Sequence, residues 1–307
     1  MIGAFTQAGL CDTALYLFQQ IQKEGIEPDL TSIVCIMKAC GCVAALEQGK
    51  IIHGYVIKRG FEMDVHVGSA LICMYVSCGR LDDGVDVFEG LQAHNVVVFN
   101  AMITGFAKNN NFSLALKTYS AMEGCECKPN RVTYLSLLTT CSNLGLVKDG
   151  CDLGVYVIKR GFEMDVHVCS ALICMYASCG SLDDGVFEVL QARNVVVFNA
   201  MITGFAKNNN FSLALKTYSA MEGCECKPNG VTYLSLLTAC SNLGLVKEGC
   251  DLFKSMKEHV NLLGLDHYNT LVDIFGHAGL LLYSEDLLET IPFQANPVGW
   301  LSLLSSC

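Results

Sequence analysis

The 307 residues carry no excess of positive charge: 20 Lys and Arg stand against 30 Asp and Glu, for a formal net charge of −10. Such a chain has no general electrostatic hold on a polyanion, so any attraction to nucleic acid has to come from local groups. Long apolar runs are missing too. Although 52% of the residues are hydrophobic and mean hydropathy is +0.40, Lys, Asp, Glu, Asn and Gly interrupt every run. None reaches the roughly 18–20 residues that cross a bilayer, which points to a soluble chain with no membrane partner. No two Cys stand at C-x-x-C spacing, the nearest pairs being Cys40/Cys42, Cys125/Cys127 and Cys224/Cys226, so a zinc site has no support. Phosphate-cradling G-x-x-x-x-G-K-[ST], dinucleotide G-x-G-x-x-G and nucleophile-elbow G-x-S-x-G patterns are absent as well. The sequence therefore nominates no catalytic residue, no metal and no cofactor.

What is present in abundance is apolar residues and cysteine. The 18 Cys fall inside helical patterns and no secretory leader precedes them, which predicts reduced, buried thiols acting as small apolar residues rather than a disulfide framework. High apolar content without a membrane segment suits helices covered on two sides, as in a stacked array.

The chain also repeats itself at two scales. VIKRGFEMDVHV begins at Val56 and again at Val157, an offset of 101, and VVVFNAMITGFAKNNNFSLALKTYSAMEGCECKPN begins at Val96 and again at Val195, an offset of 99. Two residues are lost between these blocks, where LDDGVDVFEG becomes LDDGVFEV. Two residues turn a helix by about 200°, so the helix near Phe187 is expected to be shorter than its twin near Phe88. Within the copies runs a finer period. Segments opening at Leu30, Val65, Val96, Arg131, Val166, Val195, Gly230 and Leu265 are 35, 31, 35, 35, 29, 35 and 35 residues long before the last, a spacing typical of helical repeat arrays.

Each segment is expected to be a helix pair. From Val96, Phe99, Met102, Ile103, Phe106 and Ala107 recur at i, i+3, i+4, i+7 and i+8, one stripe of a helix. Asn109, Asn110 and Asn111 break it, since Asn tolerates the left-handed region and bonds its own backbone. Phe112, Ala115, Leu116, Tyr119 and Met122 form a second stripe, ended at Gly124 with Pro129 blocking continuation. Gly84 and Gly185 sit in second helices, where each costs ~1 kcal/mol relative to Ala. One pair cannot cover its own stripes, so pairs must stack.

These features resemble the pentatricopeptide repeat family, and within it the plant branch that alternates long, short and standard units. The standard units read VVVFNAMITGFAKNN…CKPN, the long ones VTYLSLLTACSNLGLVKEG and the short ones VHVGSALICMYVSCGRLDDG. The resemblance covers essentially the whole chain. It implies an all-α fold, a right-handed α-α superhelix of helix-turn-helix repeats. Residues 1–29 would be a partial first repeat, 30–264 full repeats, 265–296 a last short-type repeat and 297–307 the start of an extension motif. It also implies a plant organelle, mitochondrion or chloroplast, and a single-stranded RNA partner. The role would lie in RNA processing or in the recognition half of cytidine-to-uridine editing, with editing or processing factors supplied in trans. The H-x-E and C-x-x-C signature of the editing deaminase is absent, so the expected protein is not an enzyme.

In that family the fifth and last residues of a unit face the base, one base per repeat. The matching pairs here are Ser69 with Asn95, Asn100 with Asn130, Ser170 with Asn194, Asn199 with Asn229, and Asn269 with Asn296. By the family's rule Ser with Asn favours adenine and Asn with Asn a pyrimidine. The long units offer Val34 with Asp64, Leu135 with Asp165 and Leu234 with Gly264, which read weakly or not at all. The implied target is A-Y-x-A-Y-x-Y, with the N-terminal end on the 5′ side. The resemblance further suggests phosphate contacts for Lys108 and Lys207, and base stacking for His66 and His167, the second residues of the short units. Other readings stay open for these groups: caps for the Asn and Ser, solvated charges at helix C-termini for the Lys, and no role for the His. For the chain as a whole, a protein-binding scaffold or a truncated paralogue without activity are the alternatives.

Overall fold

The computed structural model describes residues 1–180, 182, 194–224, 226–257, 264–290, 300, 301 and 304. Among them are seventeen α-helices and no strand, in two compact units, Met1–Leu144 and Gly145–Cys307. The sequence period gave no hint of this division, which falls inside the segment opening at Arg131. The first unit therefore ends on a first helix and the second opens on a second helix.

The first unit holds α1 (Ile2–Gln7), α2 (Cys11–Lys23), α3 (Leu30–Cys42), α4 (Leu46–Arg59), α5 (Val65–Ser77), α6 (Leu81–Gly90), α7 (Val96–Lys108), α8 (Phe112–Gly124) and α9 (Arg131–Leu144). Odd-numbered helices pack in a row, α1 on α3, α3 on α5, α5 on α7 and α7 on α9. Each even-numbered helix rests on its own partner and on the next helix of that row, as α6 does on α5 and α7. In the second unit α10 (Val147–Lys159) leads into α11 (Val166–Ser178), α12 (Val195–Lys207), α13 (Phe211–Gly223), α14 (Gly230–Leu243), α15 (Val246–Lys257), α16 (Leu265–His277) and α17 (Leu281–Thr290). Here the row is α11, α12, α14 and α16, flanked by the remaining helices.

This placement explains the apolar patterns. A first helix is covered on three sides, so Val98, Phe99, Ala101, Met102, Ile103 and Phe106 of α7 are all buried, each large side chain contributing ~1.5–3 kcal/mol. A second helix meets only two neighbours and needs a narrower stripe. Phe112, Ala115, Tyr119 and Met122 of α8 are buried, but Leu116, expected on the same face, is exposed.

The expected asparagine turn is present in both copies. Asn110 and Asn209 have φ of 53° and 55°, and the Asn109 amide donates to the Gly105 carbonyl at 2.9 Å, closing α7. At the far end of α8 the left-handed residue is Glu126 (φ 55°), two past Gly124, so the glycine ends the helix without supplying the turn. Gly84 is better placed than its helix propensity suggests. A Cβ there would lie 3.3 Å from Val76 Cγ2, so the missing side chain lets α6 lie close on α5. Gly185 and the helix expected near Phe187 lie outside the described residues.

The thiols divide more evenly than expected. Cys11, Cys40, Cys141, Cys169 and Cys240 are buried, whereas Cys42, Cys73, Cys125, Cys174 and Cys224 are exposed, because the latter fall on helix faces and ends that no neighbour covers. Burial pushes the Cys40 and Cys240 thiols up to about 12, so both stay protonated and unreactive near neutral pH. At pH 8 an alkylating reagent followed by mass spectrometry should label Cys42 and Cys224 at least tenfold faster than Cys40 and Cys240, with the difference abolished in denaturant.

Close packing also sets a stability expectation. A Cβ on Gly105 would lie 2.9 Å from Val76 Cγ2, so Gly105→Ala should destabilise by about 1–3 kcal/mol through overpacking, against the gain of about 1 kcal/mol from helix propensity alone. Urea melts of the variant, and of its combination with Val76→Ala, measure this; a more stable Gly105→Ala protein would contradict the close approach.

Candidate functional site

A single local rule places the residues at the unit junctions. The last residue of a unit is the N-cap of the next unit's first helix, and wherever it is Asp or Asn its side-chain oxygen turns onto backbone N–H groups; Gly264, which has no side chain, instead donates its N–H to His267 Nδ1 at 3.1 Å. Asp29 accepts from Ser32 N at 2.8 Å, Asp64 from His66 N and Val67 N at 2.9 and 3.0 Å, and Asn95 from Val97 N and Val98 N at 2.9 and 3.1 Å. Asp165 and Asn194 repeat the arrangement. A cap contributes about 1 kcal/mol by satisfying donors that have no partner within the helix. Asn95 and Asn194 thus cap the helices that follow them. This uses their Oδ1 and leaves their Nδ2 hydrogens.

Where a standard unit meets a long one, the fifth residue joins the cap. The Asn100 Nδ2 donates to Asn130 Oδ1 at 3.0 Å, which also accepts from Val132 N at 2.9 Å. The Thr133 hydroxyl donates to Asn100 Oδ1 at 2.6 Å and accepts from the Asn130 backbone N–H at 3.1 Å. The second unit repeats this: Asn199 Nδ2 to Asn229 Oδ1 at 3.0 Å, Thr232 Oγ1 to Asn199 Oδ1 at 2.6 Å and Asn229 N to Thr232 Oγ1 at 3.0 Å. Asn100 and Asn199 are only 8% exposed. A pair of hydroxyl bonds, Thr104 to Ser136 at 2.8 Å and Thr203 to Ser235 at 2.7 Å, continues the same polar seam one turn further along.

The short units differ. The third residue of the following helix is Val98 or Val197, with no hydroxyl to offer, and the half-buried fifth residues bond their own helices. Ser69 Oγ donates to the His66 carbonyl at 3.0 Å and Ser170 Oγ to the Val166 carbonyl at 2.8 Å. The structure thus joins Asn100 to Asn130 and Asn199 to Asn229, but records no bond from Ser69 to Asn95 or from Ser170 to Asn194. Asn269 is half-buried with its Oδ1 out of solvent and without a hydrogen-bond partner. Its expected companion Asn296 lies outside the described residues.

Paired helices of this period, each capped by the residue that closes the previous unit, match the PPR repeat family over residues 94–143 and 193–242, and the PPR repeat over residues 1–26, 69–96 and 231–259. The chain belongs to this family. It is 36% identical over 99% of its length to the pentatricopeptide repeat-containing protein At3g49170, chloroplastic, of Arabidopsis thaliana, and 35% identical over 95% to At1g06140, mitochondrial, from the same plant. It spans 36% and 53% of those two proteins, between about a third and a half of the relatives it matches. Its fold is that of the pentatricopeptide repeat protein PPR10 from maize, with a TM-score of 0.68 at 20% identity over 99% of this chain and 45% of that one. A second PPR10 structure, in complex with an 18-nt psaJ RNA element, matches with the same TM-score at 19% identity, over 99% of this chain and 51% of that one.

Other positions in the PPR repeats follow from helix register. His66 and His167, second in α5 and α11, are exposed. The same register carries Val97, Val132, Val196 and Val231, four exposed valines that the sequence reading passed over because a lone valine carries no motif. Lys108 and Lys207 are exposed at the ends of α7 and α12. Lys108 borders a cleft of about 530 Å³ with Lys38, Cys73, Gln7, Thr6 and Ser77, drawn from the ends of α1, α3, α5 and α7. Among the described residues no group of three or more His, Cys, Asp or Glu is placed to hold a metal, and no helix is long and apolar enough to cross a membrane. Thr133 and Thr232 were also missed, although Asn-x-x-Thr at both junctions is a capping-box spacing.

Removing a cap should register directly. Asn95→Ala is expected to lower stability by about 1 kcal/mol, while Asn95→Asp, which keeps the oxygen and adds a negative charge at a helix N-terminus, should hold it within about 0.5 kcal/mol. Denaturant melts decide this; equal losses for Ala and Asp would mean that Asn95 acts through its Nδ2 instead.

Proposed function

We propose that this chain binds single-stranded RNA in a base-selective way, one nucleotide at each short or standard unit, as an organellar RNA-processing or editing-recognition factor of the plant branch that alternates long, short and standard units. The observation that carries the reading is the set of hydrogen-bonding groups the junctions leave unused. At a standard-to-long junction, Asn130 Oδ1 is occupied by a backbone N–H and by Asn100. The Asn130 Nδ2 is then left as a donor, and the Asn100 Nδ2 keeps a second hydrogen beyond the one given to Asn130. Pyrimidines present O2 together with O4 or N3 as acceptors on the pairing edge, so a donor-rich junction suits them. At a short-to-standard junction the Ser69 hydroxyl spends its hydrogen on the His66 carbonyl and keeps its lone pairs, while the Asn95 cap spends its Oδ1 and keeps its Nδ2 hydrogens. One acceptor with one donor complements adenine, whose edge carries an amino group beside N1. At the junctions of Ser69, Asn100, Ser170 and Asn199 this physical accounting agrees with the A and Y that the family's rule assigns; the final Y, at Asn269 with Asn296, rests on the resemblance.

Further support comes from the surroundings. The exposed valines and histidines at the second position provide apolar or flat surface for a stacked base. Lys38 and Lys108 supply local positive charge on a chain whose total is −10, which suits contacts that are few and specific. The relatives named chloroplastic and mitochondrial, and the RNA present in the PPR10 complex, favour an organellar RNA ligand over a peptide. Editing or processing enzymes would then act in trans, with this chain supplying the address.

Titration of fluorescein-labelled RNAs tests the reading. An RNA of the A-Y-x-A-Y-x-Y pattern should bind more tightly than one with adenines and pyrimidines exchanged, each correct base contributing roughly 1–3 kcal/mol. Equal affinities would remove base selectivity, and binding of neither RNA would favour the scaffold alternative.

A further inference from the structure

Resting on that reading, we infer that Thr133 and Thr232 are specificity-determining residues: each holds the asparagine of the preceding unit in one amide orientation, and so sets the pyrimidine preference of its junction. Neither threonine lies at a fifth or last position, and both are fully buried, so neither reaches a base itself.

The direction of every proton in this cluster follows from groups that have no choice. A backbone N–H can only donate, so the atom of Asn130 facing Val132 N at 2.9 Å is its oxygen. That oxygen also faces the Asn100 side chain at 3.0 Å, so Asn100 must present its nitrogen there. The other end of the Asn100 amide is then its oxygen, and it lies 2.6 Å from Thr133 Oγ1. The threonine hydroxyl has one hydrogen. It accepts from the Asn130 backbone N–H at 3.1 Å and gives its hydrogen to Asn100 in preference to Asn130 Oδ1, which is 3.4 Å away. Each bond forces the next, and the chain of constraints ends on Asn100. Its oxygen is occupied, and what remains at the junction is mostly N–H.

The other junctions act as internal comparisons. The second unit reproduces the cluster at Asn199, Asn229 and Thr232 with the same 2.6 Å hydroxyl bond. Where Val98 and Val197 replace the threonine, the fifth residue is a serine that bonds its own helix. At Asn269, whose third-position counterpart lies outside the described residues, the side-chain oxygen has no hydrogen-bond partner. There the amide oxygen lacks the hydroxyl bond that fixes Asn100 and Asn199.

The test is the ratio of affinities for two RNAs of the A-Y-x-A-Y-x-Y pattern that differ only at the base read by Asn100, uracil against adenine, measured with the whole chain. The unaltered protein should favour uracil by about tenfold. Thr133→Val keeps the shape and removes the hydroxyl; the ratio should fall to about threefold or less, while selectivity at the Asn199 position stays unchanged. Thr133→Ser should restore the ratio. If Thr133→Val fails to fold by circular dichroism, Thr232→Val gives the same measurement at the second junction. A Thr133→Val protein that binds both RNAs more weakly but keeps the full ratio would overturn the inference, because the threonine would then be a purely structural cap, and failure of Thr133→Ser to rescue would do the same. Absence of any uracil preference in the unaltered protein would instead sink the RNA reading on which the inference rests.

Discussion

Each first helix after the opening one begins on a residue that belongs, by the sequence period, to the unit before it. Asp29, Asp64, Asn95, Asp165, Asn194 and Asn229 all aim a side-chain oxygen at the N–H groups of the helix that follows. These N–H groups have no partner within the helix and cannot be buried unsatisfied. A short oxygen-bearing side chain supplies that partner at these junctions, while at Gly264 the next pair stacks without one. Everything proposed about recognition depends on these caps, since the cap fixes which half of each asparagine amide is spent inside the protein and which is left for a ligand.

The same economy explains how a chain of net charge −10 can be suited to a nucleic acid. The junctions use oriented N–H donors and serine lone pairs, neutral groups whose strength comes from being held in place. Long Lys and Arg side chains would add attraction without discrimination. Buried polar clusters carry a cost when any member lacks a partner. The Asn100, Asn130 and Thr133 cluster avoids that cost in the free protein by bonding internally, and the ladder from Thr104 to Ser136 extends it between adjacent first helices.

Much of this was legible in the residues. The i, i+3, i+4, i+7 stripe from Phe99 and the Asn109–Asn111 break gave a helix pair, and its tandem copy gave a stack. The structure has the helices and the left-handed asparagine turns in place. Leu116 and the exposed thiols were misjudged because hydrophobicity and periodicity say which face is apolar, not how many neighbours will cover it. The base-reading pairs were nominated by resemblance alone. Nothing in the sequence says that Asn100 is almost closed off from solvent, or that Ser69 turns back to its own helix while Asn100 crosses to the next one. That difference goes with a serine followed by a valine at the third position of the next helix in one case, and an asparagine followed by a threonine in the other.

The sequence by itself determined the helix pairs, their breaks and the duplicated order of units, because these depend on spacing within about forty residues and on local backbone chemistry. Only the tertiary structure decided where the array divides into compact units, which apolar faces and thiols stay uncovered, and which atoms of the junction asparagines remain free. Those outcomes depend on contacts between residues some thirty positions apart, such as Thr133 with Asn100, whose geometry exists only once one helix pair has been laid against the next.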